Sequence, residues 1–260
     1  MAGQLNQSFC LPMFFKEGIQ LDALLKKAKA IGYPAVEIWH RDNAPFAELL
    51  ELAAKHGLRI ASMCGAKSLT DGLNNPANHS RIADELHASI EIAAKNNIPG
   101  VIAFSGNRND RSDSASIAVC AEGLRKVAKA AESAGVNVNM ELLNSKRDHH
   151  GYQCDHTAWG VQVCTEVGSP RVKLLYDIYH MAIMEGDLIA TITENIRHIG
   201  HFHTAGNPGR GPLDNTQEIC YPAVCRAIVS TGYDLYIGHE FKPKGDPVAA
   251  LRAAFKTCDV

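Results

Sequence analysis

Lys173-Leu-Leu-Tyr-Asp-Ile-Tyr-His180 and His198-Ile-Gly-His-Phe-His-Thr-Ala205 decide how the rest of the chain is read. Each is a short apolar burst of strand character that ends in ionisable side chains able to bind a metal. Asp177 and His180 close the first, His201 and His203 the second. The pattern occurs once upstream, in Val136-Asn-Val-Asn-Met-Glu141, and once downstream, in Leu235-Tyr-Ile-Gly-His-Glu240. Glu141, Asp177, His203 and Glu240 are separated by 36, 26 and 37 positions, each gap holding a strand, a helix and two loops. Parallel strands joined by crossover helices bring their C-terminal ends to one face of a sheet. Four acidic or imidazole groups at four such ends are therefore expected to converge on one point.

Outward from these stretches the alternation continues. Strand signals fall at 7–11, 35–39, 58–64, 101–104, 136–142, 171–176, 198–204 and 235–240. Between them, apolar residues recur at helical spacing over 19–31, 46–56, 78–96, 114–133, 158–167, 186–196, 221–231 and 247–255, several runs closing at a glycine. Eight strand–helix units in 260 residues suit a (β/α)8 TIM barrel, which takes about 250. No linker or shift in composition divides residues 1–260, so a single domain is expected. An open doubly wound sheet is disfavoured, because no GxGxxG follows the first strand.

Composition narrows the function classes. A net charge of −2 gives no reason to expect nucleic acid or an anionic membrane as partner. The eight cysteines include no CxxC pair and read as small core residues of a reducing compartment. MAGQLNQSFC lacks the basic and apolar regions of a leader, and no apolar run reaches 18 residues. The expectation is a cytoplasmic enzyme with a small-molecule substrate, its oligomeric state left open.

In a barrel the active site lies at the C-terminal strand ends. Three carboxylates and one imidazole, Glu141, Asp177, Glu240 and His203, form a mostly oxygen set that suits Mg²⁺ or Mn²⁺ and admits Zn²⁺ or Co²⁺. Such an ion polarises a carbonyl, while a carboxylate moves a proton between adjacent carbons. His180, just past its strand, reads as a ligand for a second metal or a hydrogen-bond partner for a substrate hydroxyl. Arg210, in Gly206-Asn-Pro-Gly-Arg-Gly-Pro212, would grip a carboxylate or hydroxyl from the rim, and Lys242 is a similar case. His201 is expected to pack away from the ligands, between barrel and helices. The His-rich loop 144–157 reads as a lid.

Tyr176-Asp-Ile-Tyr-His-Met-Ala-Ile-Met-Glu-Gly-Asp187, Pro208-Gly-Arg210, Glu218-Ile-Cys-Tyr-Pro222 and Gly232-Tyr-Asp-Leu-Tyr-Ile-Gly-His-Glu-Phe-Lys-Pro243 resemble the hydroxypyruvate isomerases, within the xylose-isomerase-like TIM barrels. The resemblance is specific over about 135–250. It implies one divalent metal held by Glu141, Asp177, His203 and Glu240, with Glu141 and Glu240 also acting as acid and base. His180 and Arg210 would contact substrate. The implied reaction runs through a cis-enediolate, from hydroxypyruvate to tartronate semialdehyde. One departure is His203: hydroxypyruvate isomerases commonly carry glutamine there, whereas ketose 3-epimerases and inosose dehydratases carry histidine, and these are the alternative. A tri-zinc apurinic endonuclease is less in keeping, since His40 alone is a candidate for its extra ligands.

Overall fold

The structure, a computed structural model, describes residues 5–16, 18–43 and 46–260. The first ten residues, on which the leader expectation rests, lie partly outside these. In chain order the elements are β1 (Asn6–Phe9), α1 (Leu11–Phe14), α2 (Leu21–Ile31), β2 (Ala35–Val36), α3 (Phe46–Lys55), β3 (Arg59–Ile60), β4 (Met63–Cys64), α4 (His79–Lys95) and β5 (Gly100–Ala103). Then follow α5 (Asp113–Ala134), β6 (Asn137–Glu141), α6 (Thr157–Val167), β7 (Val172–Asp177), α7 (Ile178–Met184) and α8 (Leu188–Asn195). The chain closes with β8 (Ile199–Thr204), α9 (Tyr221–Ser230), β9 (Tyr236–His239) and α10 (Pro247–Cys258).

These elements form two compact units. The first contains the described residues of Met1–Met63 together with Leu188–Ile196 and Phe202–Val260. In it β1 lies parallel to β9, with Ser8 opposite Gly238, and β9 lies parallel to β8, with His203 opposite Gly238. β2 pairs with β3, also parallel. Leu21, Leu24, Leu25 and Ala28 give α2 one buried face, as their spacing predicts.

The second unit contains Cys64–Asp187 and Arg197–His201. Here β5, β6 and β7 run parallel, with Val101 opposite Val138 and Met140 opposite Leu174. α5 buries Ile117, Cys120, Ala121, Leu124, Val127 and Ala131 along one stripe. Its ends are fixed by Ser112, whose hydroxyl accepts from the Ala115 amide, and by Gly135 in the left-handed conformation at φ 69°. Losing such a serine cap costs about 1 kcal/mol.

β6 shows how a strand carries chemistry. Alternation puts Val138 and Met140 on one face and Asn137, Asn139 and Glu141 on the other, and all five are buried. The polar face keeps its room through small neighbours: a Cβ on Gly200 would lie 2.2 Å from Asn139 Oδ1.

Two segments differ from the sequence expectation. The strand anticipated over 58–64 is two strands, because the chain changes partners. β3 bonds to β2, whereas the Gly65 amide donates to the Ile102 carbonyl of β5. After β7 the chain coils at once into α7, since the Asp177 side chain accepts the Tyr179 and His180 amides and caps a helix that the apolar pattern had hidden.

Candidate metal centre

In the first unit, His203 and Glu240 sit at the ends of neighbouring strands. His203 Nδ1 lies 3.2 Å from Glu240 Oε2, and both side chains are at most 5% exposed. Glu240 is held from several sides. Trp39 Nε1 donates to its Oε1 at 2.6 Å, and the Arg210 guanidinium pairs with its Oε2 while donating through Nε to its backbone oxygen at 3.2 Å. Burial alone would raise the Glu240 pKa, but the Arg210 charge, with His203 and Trp39, holds this carboxyl well below the usual range.

Arg210 therefore stands differently from the rim residue anticipated. The loop bends tightly, with Gly206 and Gly211 exchanging backbone bonds at 2.7 and 3.0 Å, and places Arg210 at φ 54°. Its guanidinium is bound to a carboxylate of the site. Lys242 is exposed, and its backbone amide donates to the Arg210 carbonyl at 2.7 Å.

Glu37 was missed by the sequence reading. It lies just past β2, is 1% exposed, and its Oε2 is 3.1 Å from His203 Nε2. Ser8 donates to its other oxygen. The two ring nitrogens of His203 thus each face a carboxylate acceptor, Nε2 that of Glu37 and Nδ1 that of Glu240. Gly238 makes this contact possible: a Cβ there would lie 2.1 Å from Glu37 Oε1. A signal existed in the sequence, since Ala35, Glu37 and Trp39 alternate on one face and an acid there breaks an apolar run.

On the opposite face lies a buried polar chain. His239 meets Thr204 Oγ1 at 2.7 Å through Nδ1 and Gln7 Oε1 at 2.9 Å through Nε2. Burial drives the His239 pKa down to about 3, so this imidazole is neutral at physiological pH. His201, expected to pack away from the ligands, does not. Residues two apart on a strand share a face, so His201 lies on the face of β8 that carries His203.

In the second unit, Glu141 lies opposite Leu175, and Asp177 stands two residues farther along β7 on the same face. The two carboxylates offer oxygens within 4.8 Å of each other and are 5% and 1% exposed. Buried carboxylates this close together cost free energy that a cation lowers. Asp177 Oδ2 lies 3.6 Å from His180 Nε2, beyond good hydrogen-bonding distance, and His180 is fully buried.

Residues 144–157 are fastened down, not poised as the lid anticipated. Tyr152, fully buried, donates to the Glu141 carbonyl at 2.9 Å and accepts from the Ser105 amide at 3.1 Å. Arg108 grips both oxygens of Asp155, at 3.0 and 2.9 Å. His149 packs edge-on against His180 with ring centroids 5.3 Å apart, while His150 and His156 are exposed.

Each unit thus buries a pair of groups with metal-ligand chemistry, and the acidic and histidine composition suits a divalent ion. A family model described as xylose isomerase-like TIM barrel matches residues 25–258. The 2-oxo-tetronate isomerase of Cupriavidus necator is 37% identical over 50% of this chain and 49% of its own. The hydroxypyruvate isomerase of Escherichia coli is 34% identical over 52% of each. The matches thus span about half the length of these curated relatives. A crystal structure titled AP endonuclease, family 2, from Brucella melitensis superposes with a TM-score of 0.83 at 22% identity, covering 97% of this chain and 98% of that one. At that identity the likeness speaks to the fold alone, a (β/α) barrel.

Proposed function

This chain belongs to the xylose isomerase-like TIM barrel family, and from that premise we propose that it is a metal-dependent isomerase of a small α-hydroxy carbonyl compound, taking hydroxypyruvate to tartronate semialdehyde. The observation that carries the reading is that each unit buries one pair of strand-end ligand groups, Glu141 with Asp177 and His203 with Glu240. By the family resemblance, one divalent cation would be held by Glu141, Asp177, His203 and Glu240. Bound there, Mg²⁺ or Mn²⁺ supplies Lewis acidity toward neighbouring carbonyl and hydroxyl oxygens.

The chain's own groups move the proton. One of Glu141 and Glu240 takes it from the hydroxymethyl carbon, leaving an enediolate. A carboxylate returns that proton to the former carbonyl carbon, and the hydroxyl proton passes from the C3 oxygen to the C2 oxygen as the aldehyde forms. His180 contacts a substrate oxygen, and Arg210, besides holding Glu240, offers its guanidinium to the substrate carboxylate. Lys242 stands farther out, as a charge that draws an anionic substrate toward the mouth.

Two observations favour neighbouring substrates. The 37% identical relative is named for 2-oxo-tetronate, which presents the same carbonyl beside a hydroxyl. His203 is the residue that ketose 3-epimerases and inosose dehydratases carry at this position. We also place the protein in the cytoplasm, acting without nucleic acid or membrane. The eight cysteines, all among the described residues, form no disulfide, and no helix among the described residues is long and apolar enough to cross a membrane.

The test is turnover of hydroxypyruvate, 2-oxo-tetronate and common ketoses, before and after chelation. The reading expects hydroxypyruvate to be isomerised, activity to vanish with chelator, and Mg²⁺ or Mn²⁺ to restore it. No turnover of any of them, or turnover indifferent to chelation, would overturn it.

A further inference from the structure

Asn144, three residues past the end of β6 and fully buried, is hydrogen-bonded at both polar atoms of its side chain. Its Oδ1 accepts the backbone amides of Arg147 and Asp148 at 3.0 and 2.9 Å. Two N–H donors on one atom settle which end of the side-chain amide that is: the reversed orientation would set an NH₂ against both. The Nδ2 end therefore faces Asp148 Oδ2 at 2.8 Å and His180 Nδ1 at 2.6 Å. Asp148 Oδ2 also accepts the Tyr179 hydroxyl at 2.7 Å, so the acid that aligns Nδ2 is itself anchored to α7.

An amide NH₂ can only donate. The His180 nitrogen it meets must present a lone pair, which leaves the single hydrogen of the neutral ring on Nε2. That nitrogen is the one on the Asp177 side, 3.6 Å from Oδ2. The edge-on packing of His149 and the place of His180 in the first turn of α7 keep the ring from turning over.

We propose that Asn144 is a positioning residue that locks His180 as the neutral imidazole with its hydrogen on Nε2, making His180 a hydrogen-bond donor to a substrate oxygen beside Asp177. His180 so held is neither a proton-accepting base nor an Nδ1 metal ligand. The loop 144–157 thereby gains a role in the site, because it carries the atom that sets the tautomer of a ring on α7. The donor role rests on the isomerase reading above, whereas the tautomer rests on the hydrogen bonds alone.

The experiment is nitrogen NMR of the whole protein labelled with ¹⁵N-histidine, the His180 resonances being assigned by their loss in His180→Gln. The expected spectrum shows Nδ1 unprotonated and Nε2 protonated, with and without added Mg²⁺. A hydrogen on Nδ1, or on both nitrogens, would overturn the proposal. In Asn144→Asp a carboxylate faces Nδ1 and the hydrogen should move there, with kcat for hydroxypyruvate falling roughly 10- to 100-fold and KM changing little. Asn144→Ala, free of the new charge beside Asp148, should give a mixed tautomer and an intermediate loss. An inverted tautomer with undiminished kcat would defeat the donor role. Absence of turnover in the unsubstituted protein would sink the isomerase reading and the donor role with it, while the NMR spectrum would still decide the tautomer.

Discussion

His203 and His180 are both buried imidazoles beside a carboxylate, yet partners of opposite kinds stand behind them. His203 has a carboxylate acceptor at each nitrogen, Glu37 at Nε2 and Glu240 at Nδ1. His180 spends its lone pair on the Asn144 amide and turns the hydrogen toward Asp177. One ring is held among acceptors, the other by a donor. The difference lies in the partner behind each ring, an acceptor in one case and a donor in the other, and neither partner belongs to a recognisable motif.

The comparison is broken most completely by removing each ring in turn. His203→Ala should abolish tight divalent-ion binding and turnover, whereas His180→Gln should leave ion affinity within a few-fold and lower kcat by roughly 100-fold, the low end of what a positioned hydrogen-bonding group contributes. Calorimetric ion titration beside steady-state kinetics separates the two; equal loss of ion affinity in both would erase the distinction. Next comes the partner of the ligating ring. Glu37→Gln should weaken ion binding about 10- to 100-fold with the fold retained, because the partner that orients the His203 ring loses its charge.

Gly238→Ala acts on the same contact from the strand side. The added methyl meets the Glu37 carboxylate, and overpacking of this kind costs about 1–3 kcal/mol, to be read by denaturant unfolding.

His239 sharpens the comparison as a third buried imidazole that neither ligates nor donates to substrate. Its folded pKa is depressed to about 3 from 6.5, so the unfolded chain binds the extra proton between those values. Stability should therefore fall as pH drops from 6.5 toward 3, by at most about 1.4 kcal/mol per unit from this group. His239→Gln should flatten that slope relative to the unsubstituted protein. The smallest effect is expected at Lys242, whose side chain is exposed: Lys242→Ala should shift KM by no more than about threefold.

The strand ends were legible because three of the four ligand candidates terminate apolar runs, and an acid or imidazole at such a place is hard to explain as core. The barrel was legible through the same alternation. Glu37 was not, because a two-residue strand carries too little pattern to announce which of its neighbours points at a histidine far along the chain. Asn144 read only as loop composition; its meaning depends on where α7 places His180, and α7 itself was hidden behind the end of β7. His201 shows the cost of neglecting the pleat, since it shares the face of His203. Arg210 was placed correctly in its loop, but its pairing with Glu240 is a matter of three dimensions.

The most direct test of the account is a crystal structure of the protein soaked in Mn²⁺, with anomalous scattering recorded. One anomalous peak bonded by Glu141, Asp177, His203 and Glu240 is the predicted result. A peak elsewhere, or none under conditions in which the protein turns over hydroxypyruvate, would contradict it.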